Sequence, residues 1–369
     1  MTDQFWSGGS FALRILVCLV SYCAITTPAL ADKASDDFNL GVAMYRSQRW
    51  DQASQTFEQF LKDYPEHPRI NVARLYLAMS LSSQNKYEPA RSLFATVIQA
   101  DPNGRNIADA RYRLGECSYY LKEYKVAVAQ LTDYLEKHSG HSLNEWAKLY
   151  IGDSQVGLSD FELAEKTLRP LIDRQSSPSL LADARLSLGR ALEGLKRPDE
   201  AAQQYLAVIE MKTPEAARAL HRFGGIQYSE KKYGDAAISY DQLTTDYPSS
   251  SLAASARLGA GMSWYRAGEL EKAIDRFNSV PKESSGAIQA TMMKAVALRQ
   301  LKKYEESRPV FVEALKLAGD SSLAPEILFE SAQMERAANA REVAAQLFED
   351  LSDRFPQSQR VADCLFNAA

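Results

Sequence analysis

Residues 112–131 read YRLGECSYYLKEYKVAVAQL, and three features of this stretch recur along the chain at fixed distances. Tyr124 is followed after two variable residues by Ala127. A small residue, Gly115, lies twelve positions before that alanine, and a large apolar one, Leu131, four positions after it. The alanine position repeats as Ala53, Ala90, Ala127, Ala164, Ala201, Ala236, Ala273, Ser307 and Ala344, at spacings of 37, 37, 37, 37, 35, 37, 34 and 37 residues. The earlier small position repeats as Gly41, Ala78, Gly115, Gly152, Gly189, Gly224, Gly261, Ala295 and Ala332. The large position repeats as Phe57, Phe94, Leu131, Leu168, Tyr205, Tyr240, Phe277, Phe311 and Phe348. A spacing of four keeps the alanine and the large residue on one helix face. Two small residues recurring in register predict two helices that pack closely, because larger side chains leave no room there. The aromatics three residues before the alanine position (Trp50, Tyr87, Tyr124, Phe161, Tyr233 and Tyr304) are expected to be structural.

The chain has 369 residues, 43 Lys+Arg against 47 Asp+Glu, 46% apolar and 24% charged residues, a balance that excludes a disordered chain, a multi-span membrane protein and a basic nucleic-acid binder. Length alone suggests two or three domains. The registered series overrides that prior, since a repeat array shares one continuous core.

This pattern resembles the tetratricopeptide repeat family, a helix-turn-helix unit of about 34 residues. The resemblance covers nine copies and implies an all-α, right-handed superhelical solenoid over residues 32–361. Pro65, Pro102, Pro248 and Pro356 match the family's terminal proline; lacking an N–H, proline stops a helix and fixes a turn. The family's first-helix Trp is replaced by Arg74, Arg111, Lys148, Arg185 and Arg257, and most repeats carry about three extra residues in the linking turn. The Asp63-Tyr64-Pro65 and Asp246-Tyr247-Pro248 turns, with Ala108-Asp109-Ala110-Arg111 and Ala182-Asp183-Ala184-Arg185, are similar to a subtype in bacterial envelope proteins such as the Tol-Pal cell-division coordinator and outer-membrane assembly lipoproteins.

The apolar run Ile15 to Ile25 is eleven residues long, short of the roughly 20 needed to cross a bilayer. Ala29-Leu30-Ala31 then offers a small-x-small cleavage site before the polar run from Asp32. Residues 1–31 are therefore read as a secretory signal, with an uncleaved anchor as the other reading, and the mature chain is expected to be periplasmic or secreted without a transmembrane span. Residues 362–369 begin a tenth repeat and stop mid-helix with Leu365 and Phe366 unpaired, where a solenoid normally ends in a polar cap. That ending predicts a truncated chain or the front part of a longer one, including the possibility of an envelope enzyme, such as a peptidoglycan-cleaving one, whose catalytic region follows.

No catalytic or cofactor constellation emerges. His138 and His141 sit in a turn that supplies no rigid third and fourth metal ligand. Ser154, in Gly152-Asp153-Ser154, falls inside a first helix and not on a strained strand-to-helix turn. His221 is placed among groove or core residues. Cys117 and Cys364, the two cysteines beyond the signal, lie in distant repeats that cannot be bridged. The chain is expected to be no enzyme and to need no cofactor or metal.

The resemblance instead implies a protein or peptide partner held in a groove lined by first helices. Side chains one residue after the small position include Val42, Met79, Glu116, Asp153, Arg190, Gly225 and Met262; those four residues after it include Tyr45, Tyr119, Glu193, Tyr228, Tyr265, Arg299 and Arg336. Tyrosine provides rigid amphipathic contact area, although these tyrosines could equally pack between adjacent first helices. The acidic residues fall in repeats three to five and Arg299 and Arg336 in repeats eight and nine, a polarity that would orient an extended peptide. The Lys and Asn clamp of chaperone-binding members is absent, since Leu75, Tyr112 and Leu149, with Met79, Glu116 and Asp153, stand at the matching places.

Overall fold

The computed structural model describes residues 33–173 and 177–361. The expected signal, residues 1–31, and the expected start of a tenth repeat, residues 362–369, lie outside the described residues. Among the described residues there are eighteen helices and no strand. The chain divides into two compact units at Leu171–Ile172.

The first compact unit holds α1 (33–46), α2 (Trp50–Asp63), α3 (Ile70–Ser83), α4 (Tyr87–Ala100), α5 (Ile107–Tyr120), α6 (Tyr124–Lys137), α7 (Asn144–Gly157) and α8 (Phe161–Ile172). The second holds α9 (Pro178–Gly194), α10 (Pro198–Glu210), α11 (Ala216–Ser229), α12 (Tyr233–Asp246), α13 (Ala253–Arg266), α14 (Leu270–Asn278), α15 (Ala287–Gln300), α16 (Tyr304–Ala318), α17 (Ala324–Ala337) and α18 (Arg341–Arg354). Within each unit helices pack chiefly on their neighbours in sequence, and first helices also touch the next first helix, as α5 does α7 and α13 does α15.

All eighteen small-register positions are buried. The close approach has a more specific cause than backbone meeting backbone: the large residue of each second helix lies on the small residue of the first. A Cβ added to Gly115 would stand 2.6 Å from Leu131, one on Gly152 2.5 Å from Leu168, one on Gly189 2.5 Å from the Tyr205 ring and one on Gly261 2.5 Å from Phe277. Glycine there makes room for a side chain sixteen residues later, and buried Phe57, Leu131, Leu168 and Tyr205 build the core on it.

The turn inside each repeat carries a left-handed residue five positions before the alanine register: Gln48, Asn85, Lys122, Ser159, Lys196, Lys231, Gly268, Lys302 and Asn339, with φ between 57° and 83°. The next backbone N–H reaches back five residues, as Arg49 N to Met44 O and Glu123 N to Ser118 O, each at 3.0 Å. This is a Schellman ending, which satisfies the last free carbonyls of the first helix. Second helices stop at Asp63, Ala100, Asp246 and Arg354, two residues before Pro65, Pro102, Pro248 and Pro356.

Candidate functional site

In the first compact unit the seam between successive first helices is filled by aromatic rings. Tyr45 on α1 packs 5.1 Å from Trp50 and 5.2 Å from Tyr76 of α3, and half-buried Met79 joins the same cluster. Tyr119 on α5 donates from its hydroxyl to Asp153 Oδ2 of α7 at 2.7 Å, with its ring 4.6 Å from Tyr150. Two residues expected on an open face are thus bonded to each other across the seam. Desolvation, and then the Asp153 carboxylate, push the Tyr119 phenol far above its ordinary range. Tyr120 stacks on Tyr87 with ring centroids 4.7 Å apart, and its hydroxyl lies 3.1 Å from that of Tyr150.

Glu116 departs from the expected exposed series. It is 5% exposed, accepting from Arg113 Nη1 at 2.5 Å and from the Tyr112 hydroxyl at 3.2 Å. A buried carboxylate needs such partners, and here they leave it serving the interior. Cys117 beside it is a buried free thiol that desolvation pushes up to about 12, so it carries almost no nucleophilic thiolate near neutrality. His141 Nδ1 sits 2.8 Å from the Tyr134 hydroxyl and Nε2 3.9 Å from Asp109, which fixes the turn. Ser154 is buried within α7. Among the described residues no group of three or more His, Cys, Asp or Glu is placed to hold a metal ion, and no helix is long and apolar enough to cross a membrane.

The second compact unit places the other expected residues on α9, α11, α13, α15 and α17. The Tyr228 ring lies 5.2 Å from that of Tyr233. Met262 packs on the Ala273–Phe277 cluster. The Tyr265 hydroxyl accepts from Gln300 of α15, and Arg299 pairs with Glu330 of α17 at 2.6 Å. Arg336 is exposed at the end of α17. Arg190 lines a cavity of about 750 Å³ between α9 and α11, whose lining also includes Tyr240 of α12 and Leu252. Its polar lining is Arg190, Glu193, Arg218, His221, Arg222 and Ser229. Glu193 stands 3.6 Å from Arg222 and accepts from the Tyr205 hydroxyl. Arg218 reaches Asp183 at 2.7 Å. His221 meets the Tyr240 ring edge-on at 5.6 Å and Ser255 Oγ at 3.2 Å. Desolvation, and then the neighbouring Arg222 charge, hold its pKa below the ordinary imidazole value.

Arg218 and Arg222 belong to this cavity, yet sequence reasoning passed over them. Their signal was the run Arg218, Arg222, Gly225 and Ser229, whose spacings of four, three and four put all four on one face of α11.

The comparisons with known proteins agree with stacked helix pairs. Tetratricopeptide repeat models match residues 75–142, 150–217, 186–251, 227–288 and 292–359, and a further one matches 37–67. The chain belongs to the tetratricopeptide repeat family. The outer membrane protein assembly factor BamD of Xylella fastidiosa (strain 9a5c) is 24% identical over 143 residues, which are 33% of this chain and 46% of that protein. BamD of strain Temecula1 is 23% identical over the same extent. The chain therefore spans about half the length of the curated relatives it matches. Among solved structures, the C-terminal part of a repeat protein of this family from Cytophaga hutchinsonii superposes with a TM-score of 0.56 at 15% identity, covering 69% of this chain and 99% of that one. A tetratricopeptide repeat protein from Parabacteroides merdae gives 0.53 at 13% identity, covering 72% and 99%. The apo quorum sensor NprR from B. thuringiensis gives 0.51 at 12% identity, covering 88% and 99%. At these identities the likeness shows the fold. The tetratricopeptide repeat fold is a protein-interaction scaffold, and such repeats are generally non-catalytic.

Proposed function

We propose that this chain is an exported, non-catalytic scaffold of a bacterial cell envelope that holds a peptide or protein partner along the face made by its first helices. On this reading residues 1–31 are a cleaved signal, residues 32–361 are nine tandem repeats, and the mature protein is periplasmic. The observation that carries the binding role is the cavity between α9 and α11, where charged side chains of two successive first helices converge around an opening large enough for a side chain and its neighbours. The likeness to BamD, an outer membrane protein assembly factor, supports the envelope setting. The filled seam of the first unit gives Tyr45 and Tyr119 a packing role there, so partner contact on this reading falls chiefly on Arg190, Tyr228 and Arg336.

The test is site-specific photo-crosslinking in the native cell, with the photoreactive residue at Tyr228 or Arg336 on first helices and at exposed Gln203 on a second helix. Discrete adducts from the first two positions and none from Gln203 are expected, in the periplasmic fraction. Adducts from Gln203 alone, or a chain retained in the cytoplasm, would overturn the reading.

A further inference from the structure

Nine residues follow the small register position directly, and Gly225 is the only glycine among them; Met79, Asp153 and Met262 are examples of the others. The preceding Gly224 has a packing reason, because a Cβ there would lie 3.1 Å from the Tyr240 ring. Gly225 has none. A Cβ on it would meet a single atom within 4 Å, the Tyr240 hydroxyl oxygen at 3.7 Å. Glycine inside a helix costs roughly 1 kcal/mol relative to alanine, so this position gives up stability without relieving any clash. What it leaves is space: Gly225 lies on the wall of the cavity of about 750 Å³.

The space has a defined chemistry. Three guanidinium groups, Arg190, Arg218 and Arg222, border it against one lining carboxylate, Glu193. That carboxylate is 3.6 Å from Arg222 and already accepts from Tyr205. Arg218 meets Asp183 through Nη2, which occupies part of a five-donor fork. The apolar part of the lining is Leu186 and Ile226, both buried, and half-buried Leu252. An anionic head on an apolar neighbour fits a rim of guanidinium donors; a cationic one finds a single lining carboxylate, Glu193, that is already engaged by Arg222 and Tyr205.

We propose that the cavity over Gly225 is a receptor for an acidic side chain, Glu or Asp, of an extended partner segment, with the carboxylate between Arg190 and Arg222 and an adjoining aliphatic residue against Leu186, Ile226 and Leu252. This assignment deepens the scaffold reading and rests on it. Guanidinium–carboxylate hydrogen bonds are the strong, directional kind, and the open wall at Gly225 lets a bulky side chain reach them. The cavity therefore selects for residue type within the partner.

Fluorescence anisotropy of the full chain tests it with fluorescein-labelled, amidated heptapeptide pools whose central residue is fixed as Glu, Gln, Lys or phosphoserine, beside a pool ending in a free carboxylate. The Glu pool is expected to bind about tenfold more tightly than the Gln pool, the scale of one good charge-assisted hydrogen bond, and the Lys pool least. Gly225→Met, which installs the residue type found at Met79 and Met262, should abolish the preference while helical circular dichroism is kept. Arg190→Gln should reduce it without filling the cavity, so the result survives if the methionine variant misfolds. Equal binding of the Glu and Gln pools, or a preference that persists in both variants, would overturn the assignment. A preference confined to the phosphoserine or free-carboxylate pool would also overturn it, giving the cavity to a phosphate or a chain terminus. Crosslinks from Tyr228 and Arg336 that persist without any Glu preference would leave the scaffold standing and remove only this receptor, whereas loss of all crosslinks would remove the scaffold itself.

Discussion

Gly152-Asp153 in the first compact unit and Gly224-Gly225 in the second occupy the same two register positions and do opposite things. In both, the first glycine lies under the large residue of the following helix, Leu168 or Tyr240. The second position then decides whether the seam beside it closes or opens. Asp153 reaches across to the Tyr119 hydroxyl at 2.7 Å and closes the α5–α7 seam in a layer of tyrosines. Gly225 reaches nothing, and the α9–α11 seam opens onto arginines. A repeat fold can thus keep its core register fixed while a single adjacent position writes surface chemistry.

The largest expected effect separates the two kinds of glycine. Gly189→Ala places a methyl group 2.5 Å from the buried Tyr205 ring and should destabilise the second unit by roughly 1–3 kcal/mol, as overpacked cores do. The identical change at Gly225 meets no such neighbour and should be neutral or stabilise by up to about 1 kcal/mol through helix propensity. Thermal denaturation followed by circular dichroism reads both. Equal shifts would mean that the register does not distinguish core from cavity.

The closed seam is sharpened by Tyr119→Phe. The ring stays, and Asp153 loses a donor in a largely desolvated place, at a cost of about 1–2 kcal/mol. Hydrogen exchange should quicken in α5 and α7 while α9 and α11 stay unchanged. A smaller effect tests the turns. Lys122 holds φ at 61° where Gly268 holds 83° in the equivalent turn. Lys122→Gly should be neutral or stabilising by up to about 1 kcal/mol, and Gly268→Lys destabilising by a similar amount, since a left-handed backbone is costly for residues with a Cβ. Urea midpoints at unchanged slope would register the opposite signs.

The helix pairs, their boundaries near Pro65 and Pro248 and the buried small positions were legible in the amino-acid sequence because packing imposes size at each register position. The turn position was less so: of its nine residues four are Lys and only three are the Asn or Gly that a left-handed backbone favours, so the usual turn signal is present in a minority of the repeats. The burial of Glu116, which falls in the expected groove-facing series, was not legible for a related reason. Register tells which way a side chain leaves the helix, while its burial depends on what Arg113 and Tyr112 do around it. The cavity was half legible. Gly225 and Arg190 fell in the expected series, but its openness follows from an absent side chain, and absence carries no pattern until neighbouring helices are placed.

The smallest effect concerns His221, and it bears on the open seam alone. Partial burial and the Arg222 charge depress its folded pKa, so the folded chain takes up this proton at a lower pH than the unfolded chain, which protonates near pH 6.5. Between the folded pKa and 6.5 the unfolded state binds more protons. The stability due to His221 is therefore fully present above about pH 6.5 and is lost as pH falls from there through the folded value. His138, in the first unit, is depressed by desolvation too and supplies the matched control. His221→Gln should flatten the acid-side slope in hydrogen exchange of α11 and leave α6 untouched, and His138→Gln should do the reverse. Asp133 and Glu313, both held low by lysine partners, begin to lose their contributions only below about pH 4.5, whereas the loss at His221 begins near pH 6.5. An α11 slope that His221→Gln leaves intact would mean that the imidazole sits in water and is not desolvated against Tyr240 and Arg222 at the cavity.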